Sequence, residues 1–143
     1  MKKKYIYIIL IITLTVAALF LLFFYFKKNY GQMTVNTGKE KIKVNDVYKN
    51  PVEIFPNSDV EYKKTADYYF DYYANNQLFV ITLTNRDIKT ARENAEKDFL
   101  NTLQISKEQA CKLNIQLGVP FSINEAAAGK NYGLSFCPNG KPF

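Results

Sequence analysis

Hydrophobic and polar positions divide the chain into a long apolar run near the N-terminus and shorter patterned segments after it. No residue from Tyr5 to Phe26 carries a formal charge, and a helix over this run would be about 33 Å long, enough to cross a bilayer. The run is longer than the apolar core of a cleaved signal peptide, which is the alternative. The pattern therefore predicts a signal anchor over residues 1–28, with a single transmembrane helix over residues 5–26 and the membrane as a partner.

Residues 29–58 show little hydrophobic periodicity. They are interrupted by Gly31, Gly38, Pro51 and Pro56, and glycine and proline favour turns and loops over regular elements. We expect a stalk or linker here, with one short strand, leading into a small domain over residues 59–143.

The clearest local pattern is a β-hairpin in residues 67–84. Asn75 and Asn76 suit a two-residue turn with positive φ, and this turn places Ala74 opposite Gln77. The first face of the sheet then carries only apolar and aromatic side chains: Tyr68, Phe70, Tyr72, Phe79, Ile81 and Leu83. The second face has mixed polarity, so we expect the sheet to be packed on its first face.

Helical periodicity follows the hairpin. Apolar residues recur at near-helical spacing from Ile88 to Leu103, and either Asn85 or Asp87 is placed to cap the N-terminus. This helix is expected to cover the apolar face of the hairpin. Two i,i+4 charge pairs are predicted on its outer face, Arg92 with Glu96 and Glu93 with Lys97.

Shorter segments complete the predicted domain. Ser106 and Gln109 form a capping box that begins a second short helix. Alternating apolar residues predict a strand over residues 115–119, ended by Pro120, and a last strand over residues 134–137, with a turn capped by Asn124 between them. The predicted fold class is α+β: a transmembrane helix, then a small antiparallel sheet of the hairpin and two further strands, with two helices packed on one face.

Basic charge is concentrated beside the apolar run. Five of the 19 Lys and Arg residues flank it, which leaves 14 against all 13 Asp and Glu residues in the rest of the chain. A basic surface able to follow phosphates is therefore not expected, and nucleic acid is excluded as a partner. The chain has no histidine, the usual proton shuttle and metal ligand. We accordingly predict no catalytic residue, no metal and no cofactor.

Cys111 and Cys137 are the two cysteines of the chain, and both lie in the predicted domain. A bridge between them would stabilise so small a domain by roughly 3.5 kcal/mol in the loop-entropy model. Disulfides persist mainly outside the reducing cytoplasm, and the alternative is two buried thiols in a cytosolic protein. We predict the disulfide and an extracytoplasmic domain.

The sequence gives less direct evidence for the side of the membrane on which the C-terminal domain lies. The lysines that follow the apolar run outnumber those before it, which by the positive-inside rule favours a cytoplasmic domain. Long domains, however, translocate largely regardless of their charge. The predicted location is the cell membrane, with the C-terminal domain outside the cytoplasm.

Tyrosines of the first hairpin strand are the candidate binding residues. Tyr69 and Tyr73 lie on the mixed face, as an aromatic platform for a glycan or a single-stranded nucleic acid would require. Asp67 and Asp71 share that face and would repel phosphate, and at about 13 Å apart they are too distant to act as a catalytic carboxylate pair. A structural strand is the expected role of the segment, with Tyr69 and Tyr73 as the candidate binding patch.

A longer segment carries a resemblance to known sequences. It runs from about Arg92 to Pro138 and includes Ile105-Ser106, Ala110-Cys111, Gly118-Val119-Pro120 and the stretch from Ala128 to Pro138. With these motifs the chain resembles an uncharacterised group of small membrane-anchored proteins of host-dependent bacteria of the candidate phyla radiation. The resemblance implies a bacterial envelope location, and it implies no activity and no catalytic residue.

These features together predict a non-enzymatic, single-pass envelope protein. Its disulfide-stapled domain would bind another envelope protein or a wall component, or act as a scaffold. The first alternative is an accessory subunit of a secretion, pilus or cell-division assembly. The second is an enzyme, for which the sequence contains no recognisable site.

Overall fold

The protein, described from a computed structural model, is defined for residues 13–20 and 31–143. Residues 13–20 are helical, and residues 33–143 form a compact α+β unit. The strands of residues 31–143 are β1 (Gln32–Asn36), β2 (Lys41–Asn45), β3 (Glu53–Ile54), β4 (Val60–Lys64), β5 (Tyr68–Tyr73), β6 (Leu78–Leu83) and β7 (Asn114–Gly118). The helices of the same range are α1 (Ile88–Leu103) and α2 (Lys107–Ala110).

Five of these strands form one sheet in the order β3-β4-β5-β6-β7. The first four are antiparallel to their neighbours, whereas β7 is parallel to β6. The predicted all-antiparallel sheet is therefore wrong at this edge. The cause is the long connection through α1 and α2, because a crossover of a dozen or more residues returns the chain in its original direction.

The β5–β6 hairpin has the predicted register, with Tyr72 opposite Phe79, Phe70 opposite Ile81 and Tyr68 opposite Leu83. All six side chains of the predicted apolar face are buried. The turn differs from the prediction, since residues 74–76 form a 3-10 turn and Gln77 adopts a φ of 47°. The register is nevertheless the predicted one, because Ala74 and Gln77 are the ends of the turn in both cases.

Helix α1 covers the apolar face of the hairpin, as predicted. Its N-terminus is capped by Asp87, whose carboxylate accepts a hydrogen bond from the Thr90 backbone N–H at 3.2 Å. Phe99 packs edge-on against Phe70 and Phe79, with ring centroids 5.6 and 5.8 Å apart. The predicted capping box of Ser106 and Gln109 is present at the start of α2.

The Arg92–Glu96 pair forms at 2.8 Å but does not lie on the outer face of α1, where it was predicted. Both side chains are only 7% exposed. The guanidinium donates to the backbone carbonyls of Lys141 at 2.7 Å and Gly133 at 2.8 Å, and the Glu96 carboxylate accepts the Ser135 N–H at 2.6 Å. The pair therefore joins α1 to the C-terminal segment.

That C-terminal segment, residues 120–143, contains no strand, so the predicted strand over residues 134–137 is wrong. The Cys137 N–H instead donates to the Leu134 carbonyl within a turn. Buried apolar residues at both ends gave this turn the hydrophobicity of a strand. Residues 124–129 likewise form a turn, with the predicted Asn124 side chain accepting from the Ala127 N–H at 3.1 Å.

The C-terminal segment also lies along the outer edge of β7. The side-chain amide of Asn131 accepts the Leu117 N–H at 3.0 Å and donates to the Ile115 carbonyl at 3.4 Å. The Tyr132 N–H donates to the Leu117 carbonyl at 2.8 Å. One amide side chain and one backbone group thus satisfy three polar groups on the outer edge of β7: the Leu117 N–H and the carbonyls of Ile115 and Leu117.

Residues 33–58 differ from the predicted stalk. Strands β1 and β2 form a two-stranded sheet, and Val35, Ile42, Val44 and Val47 are buried in the core. The Asn45 side chain also donates to the Thr102 carbonyl in α1 at 2.9 Å. Each strand is only five residues long, too short for its alternation to stand out from the neighbouring turns.

The predicted transmembrane helix over residues 5–26 lies outside the described residues except for residues 13–20. Within the described ranges, 13–20 and 31–143, the structure contains no helix with the length and apolar character needed to cross a membrane. The predicted fold class is corrected accordingly: the described residues show an α+β fold, and they do not show the transmembrane helix.

Candidate functional site

The second face of the hairpin contributes to an open groove above β4 and β5. Along β5 the side chains alternate, so that Phe70 and Tyr72 enter the core while Tyr69, Asp71 and Tyr73 face the groove. The groove has a volume of about 920 Å³. Its lining residues are Phe55, Pro56, Asn57, Asp59, Val60, Glu61, Lys64, Thr65, Tyr69, Asp71, Tyr73 and Thr84. We refer to it as the acidic groove.

Three carboxylates give the acidic groove its charge. Glu61 on β4 pairs directly with Asp71 on β5, and Asp59 precedes β4. Asp59 and Glu61 are both 8% exposed, and the Asp59 carboxylate accepts the Ala74 N–H at 2.9 Å. The Lys64 ammonium lies 3.2 Å from a Glu61 carboxylate oxygen. The lining therefore contains three acidic groups and one basic group.

Asp71 is the carboxylate with the most unusual environment. Burial, followed by the charge of Glu61, raises its pKa from 3.8 to about 6, while Lys64 acts in the opposite direction and Asp59 adds a smaller increase. Within the described part of the chain, no hydrogen bond or ion pair is formed by its side chain. The sheet thus holds a partly desolvated carboxylate directly opposite a second one.

Aromatic side chains supply the apolar surface of the groove. Tyr73 is 40% exposed and Phe55 is 38% exposed, while Tyr69 is half-buried beneath the Lys64 ammonium, 6.0 Å from its ring centroid. Burial and the nearby charges of Asp71 and Asp59 raise the pKa of Tyr73. Both residues of the sequence-predicted binding patch, Tyr69 and Tyr73, therefore line this groove.

The other polar residues considered from the sequence lie elsewhere. Asp67 accepts a hydrogen bond from the Asn85 side chain at 2.7 Å, which fixes the base of the hairpin. Lys63 forms an ion pair of 3.1 Å with Asp98 on α1, on the opposite side of the sheet from Lys64. The two neighbouring lysines are thus divided between the helical side and the groove.

Sequence reasoning missed Asp59 and Glu61. The closest carboxylate to Asp71 is not on its own strand but across the sheet, and β4 was not predicted as a strand. The pairing also shifts register between Glu61 and Lys63, so a simple alternation would not have aligned the two strands. The alternating segment from residue 60 to residue 62 was the available signal.

The predicted disulfide is present. Cys111, at the end of α2, is bonded to Cys137 in the C-terminal segment, with their Cα atoms 5.4 Å apart. Both cysteines of the chain are used. The bridge therefore fixes the C-terminal segment to the helical side of the domain, in addition to the Arg92–Glu96 pair.

Among residues 13–20 and 31–143, no group of three or more Cys, Asp or Glu side chains is placed to hold a metal ion.

Comparisons with protein-family models, with curated proteins and with solved structures gave no match. Residues 33–143 form a disulfide-stapled α+β domain with an acidic, aromatic groove on the sheet face opposite α1. The resemblance to proteins of the candidate phyla radiation stays a prediction.

Proposed function

We propose that this chain is a non-enzymatic binding protein of the cell envelope, and that the acidic groove is its binding site. The observation that supports this proposal is the contrast between the two faces of β5. On one face, Tyr68, Phe70 and Tyr72 are buried in the core that α1 helps to cover. The other face leaves Tyr69, Tyr73 and Asp71 on an open concave surface. Ligand sites combine concave apolar surface with a few polar groups in this way.

The disulfide supports a location outside the reducing cytoplasm. Cys111 and Cys137 join two segments that lack regular hydrogen bonding to each other, and such bridges persist mainly in oxidising compartments. In the envelope the bound partner would be another protein or a wall component. A protein captured as part of a secretion, pilus or division assembly would identify the chain as an accessory subunit.

An enzymatic function is the second candidate, and Asp71 is the observation that favours it. Asp71 has a pKa of about 6 and lies directly opposite a second carboxyl group, Glu61. Such a pair of carboxyl groups resembles the acid and base of a glycoside hydrolase. Glu61, however, is almost buried and paired with Lys64. Release of reducing sugar from wall glycans, lost in Asp71→Asn, would favour this candidate over simple binding.

A photo-crosslinking amino acid at position 73 tests the binding proposal in the cells that produce the chain. We expect specific adducts from Tyr73 and none from the same probe at the exposed position Glu93 on α1, which serves as the matched control. Equal adduct patterns at the two positions would contradict a groove-based binding function.

Thiol alkylation tests the compartment separately. When cells are lysed in the presence of an alkylating agent and without reductant, we expect Cys111 and Cys137 to be protected from alkylation until a reductant is added. Labelling of both thiols without reductant would contradict an oxidising location, whatever the crosslinking result.

A further inference from the structure

The charge of the acidic groove is a local property. The chain outside the N-terminal apolar run and its lysines has 14 basic and 13 acidic residues, so its overall charge is close to zero. Asp59, Glu61 and Asp71 nevertheless converge on one concavity that contains the single basic residue Lys64. The negative potential at this position therefore comes from placement and not from composition.

The pairing of Glu61 with Asp71 is unfavourable in the free protein. Like charges directly opposite each other on neighbouring strands destabilise a sheet, and Lys64 is bonded to Glu61 and leaves Asp71 without a direct partner. A cation placed beside Asp71 would reduce this repulsion. A neutral ligand would bury the same carboxylates further and leave the repulsion in place.

The position of the groove favours an extended ligand. Asn131 and Tyr132 occupy the edge of the sheet at β7. The opposite edge, β3, carries the exposed side chain of Ile54, between the exposed Val52 and the groove residue Phe55. Extended polypeptides commonly dock at such open edges, with side chains entering adjacent pockets.

We propose that the acidic groove binds an extended, cationic segment of a partner protein, with a lysine or arginine side chain beside Asp71 and a neighbouring apolar side chain against Tyr73 and Phe55. This inference rests on the binding function proposed above and specifies its ligand. An ammonium or guanidinium group supplies the hydrogen-bond donors that carboxylates accept most strongly. The aromatic rings add contact area and cation–π attraction.

Binding of short peptides to the full chain in a nonionic detergent tests this proposal. The probes are the hexapeptide Lys-Leu-Lys-Leu-Lys-Leu with a neutral fluorophore, and the same peptide with glutamine or glutamate in place of lysine. We expect saturable binding of the lysine peptide, about tenfold weaker binding of the glutamine peptide and none of the glutamate peptide. Binding of the lysine peptide should weaken as salt rises.

Variants locate the binding to the groove. Asp71→Asn and Tyr73→Ala should each weaken binding of the lysine peptide about tenfold. Glu93→Gln makes the same charge change as Asp71→Asn on the far side of the domain and should leave binding unchanged. Circular dichroism confirms that each variant is folded. Equal affinity for the lysine and glutamine peptides, or equal weakening by Glu93→Gln, would overturn the proposal.

A glycan probe separates this inference from the broader function. If the tetramer of N-acetylglucosamine binds with the same dependence on Tyr73 and the lysine peptide does not, the cationic ligand is wrong and the binding function stands. If position 73 yields no specific crosslink in cells, the binding function itself fails.

Discussion

The two faces of β5 differ in packing and in the pairing of their charged groups, although their residues alternate along one strand. Phe70 on the helical face is fully buried and packs against Phe99, and even the charged residues on that side, Arg92 and Glu96, have complete sets of partners. On the groove face, Asp71 is partly desolvated, faces Glu61 and has no partner among the described residues. The comparison indicates that the helical face contributes most of the stability, while the groove face retains unsatisfied charge that a ligand can use.

The largest expected effect is on the helical face. Phe99→Ala removes the ring that contacts Phe70 and Phe79, and it should lower the free energy of unfolding by about 4 kcal/mol. Tyr73→Ala on the groove face should lower it by less than about 1 kcal/mol. Urea denaturation followed by circular dichroism measures both values, and similar losses would contradict the assignment of stability to the helical face.

Loss of the disulfide should have the next largest effect. Replacing Cys111 and Cys137 together by alanine should lower the free energy of unfolding by about 3 kcal/mol, because the unfolded chain regains the freedom of the open loop. Reduction of the wild-type protein is the matched comparison. Groove-dependent peptide binding should persist in the folded double variant, and its loss would show that the two regions are coupled.

Glu96 and Glu93 lie on the same helix but have opposite surroundings, since Glu96 is buried and Glu93 is exposed. Glu96→Gln removes the charge that neutralises the buried Arg92 and weakens the contact with Ser135, so it should lower the free energy of unfolding by about 2 kcal/mol. The exposed Glu93→Gln on the same helix should have no measurable effect. A neutral result for Glu96→Gln would show that the pair does not hold the C-terminal segment.

The smallest expected change in the free energy of unfolding is an increase. Asp71→Asn should raise the free energy of unfolding by about 1 kcal/mol at pH 7.5. It removes a partly buried charge and that charge's repulsion with Glu61 and Asp59, and it loses only the partial attraction to Lys64. The folded-state pKa of Asp71 is above its ordinary value, so the wild-type protein loses stability as pH rises from about 3.8 to about 6. The gain from Asp71→Asn should therefore be full above pH 6 and absent below about pH 4.

Unfolding of this variant and the wild type at pH 4 and pH 7.5 measures that pH dependence. Glu93→Gln provides the control, since its charge is exposed and remote from the groove. A destabilised Asp71→Asn at pH 7.5 would mean that Asp71 makes a favourable structural interaction and is not reserved for a ligand.

Much of the fold was encoded in local patterns. The hairpin register followed from one turn and strict alternation, and α1 and α2 followed from helical spacing and the caps Asp87 and Ser106. The prediction of a strand at residues 134–137 was wrong because hydrophobicity alone does not distinguish a strand from a turn held by a disulfide. The parallel direction of β7 depends on packing between distant elements, which no local pattern contains.

The candidate site was predictable from the sequence only in part. Alternation along β5 separated Tyr69 and Tyr73 from the core tyrosines, so these two residues were identified as a candidate patch from the sequence. Glu61, the carboxylate opposite Asp71, was not identified from the sequence, because it belongs to a strand with a register shift. Contacts across strands determine the charge of this groove, and they depend on the pairing of segments that lie apart in the chain.

The closure of β7 by Asn131 has a consequence for self-association. A sheet with two open edges can add strands from one molecule to the next without limit, as in a fibre. Here one edge is occupied by an amide side chain of the same chain, and the edge at β3 remains. Pairing between two copies through β3 would leave no open edge of this five-stranded sheet for a third copy, so growth of the sheet by edge pairing would end at a dimer.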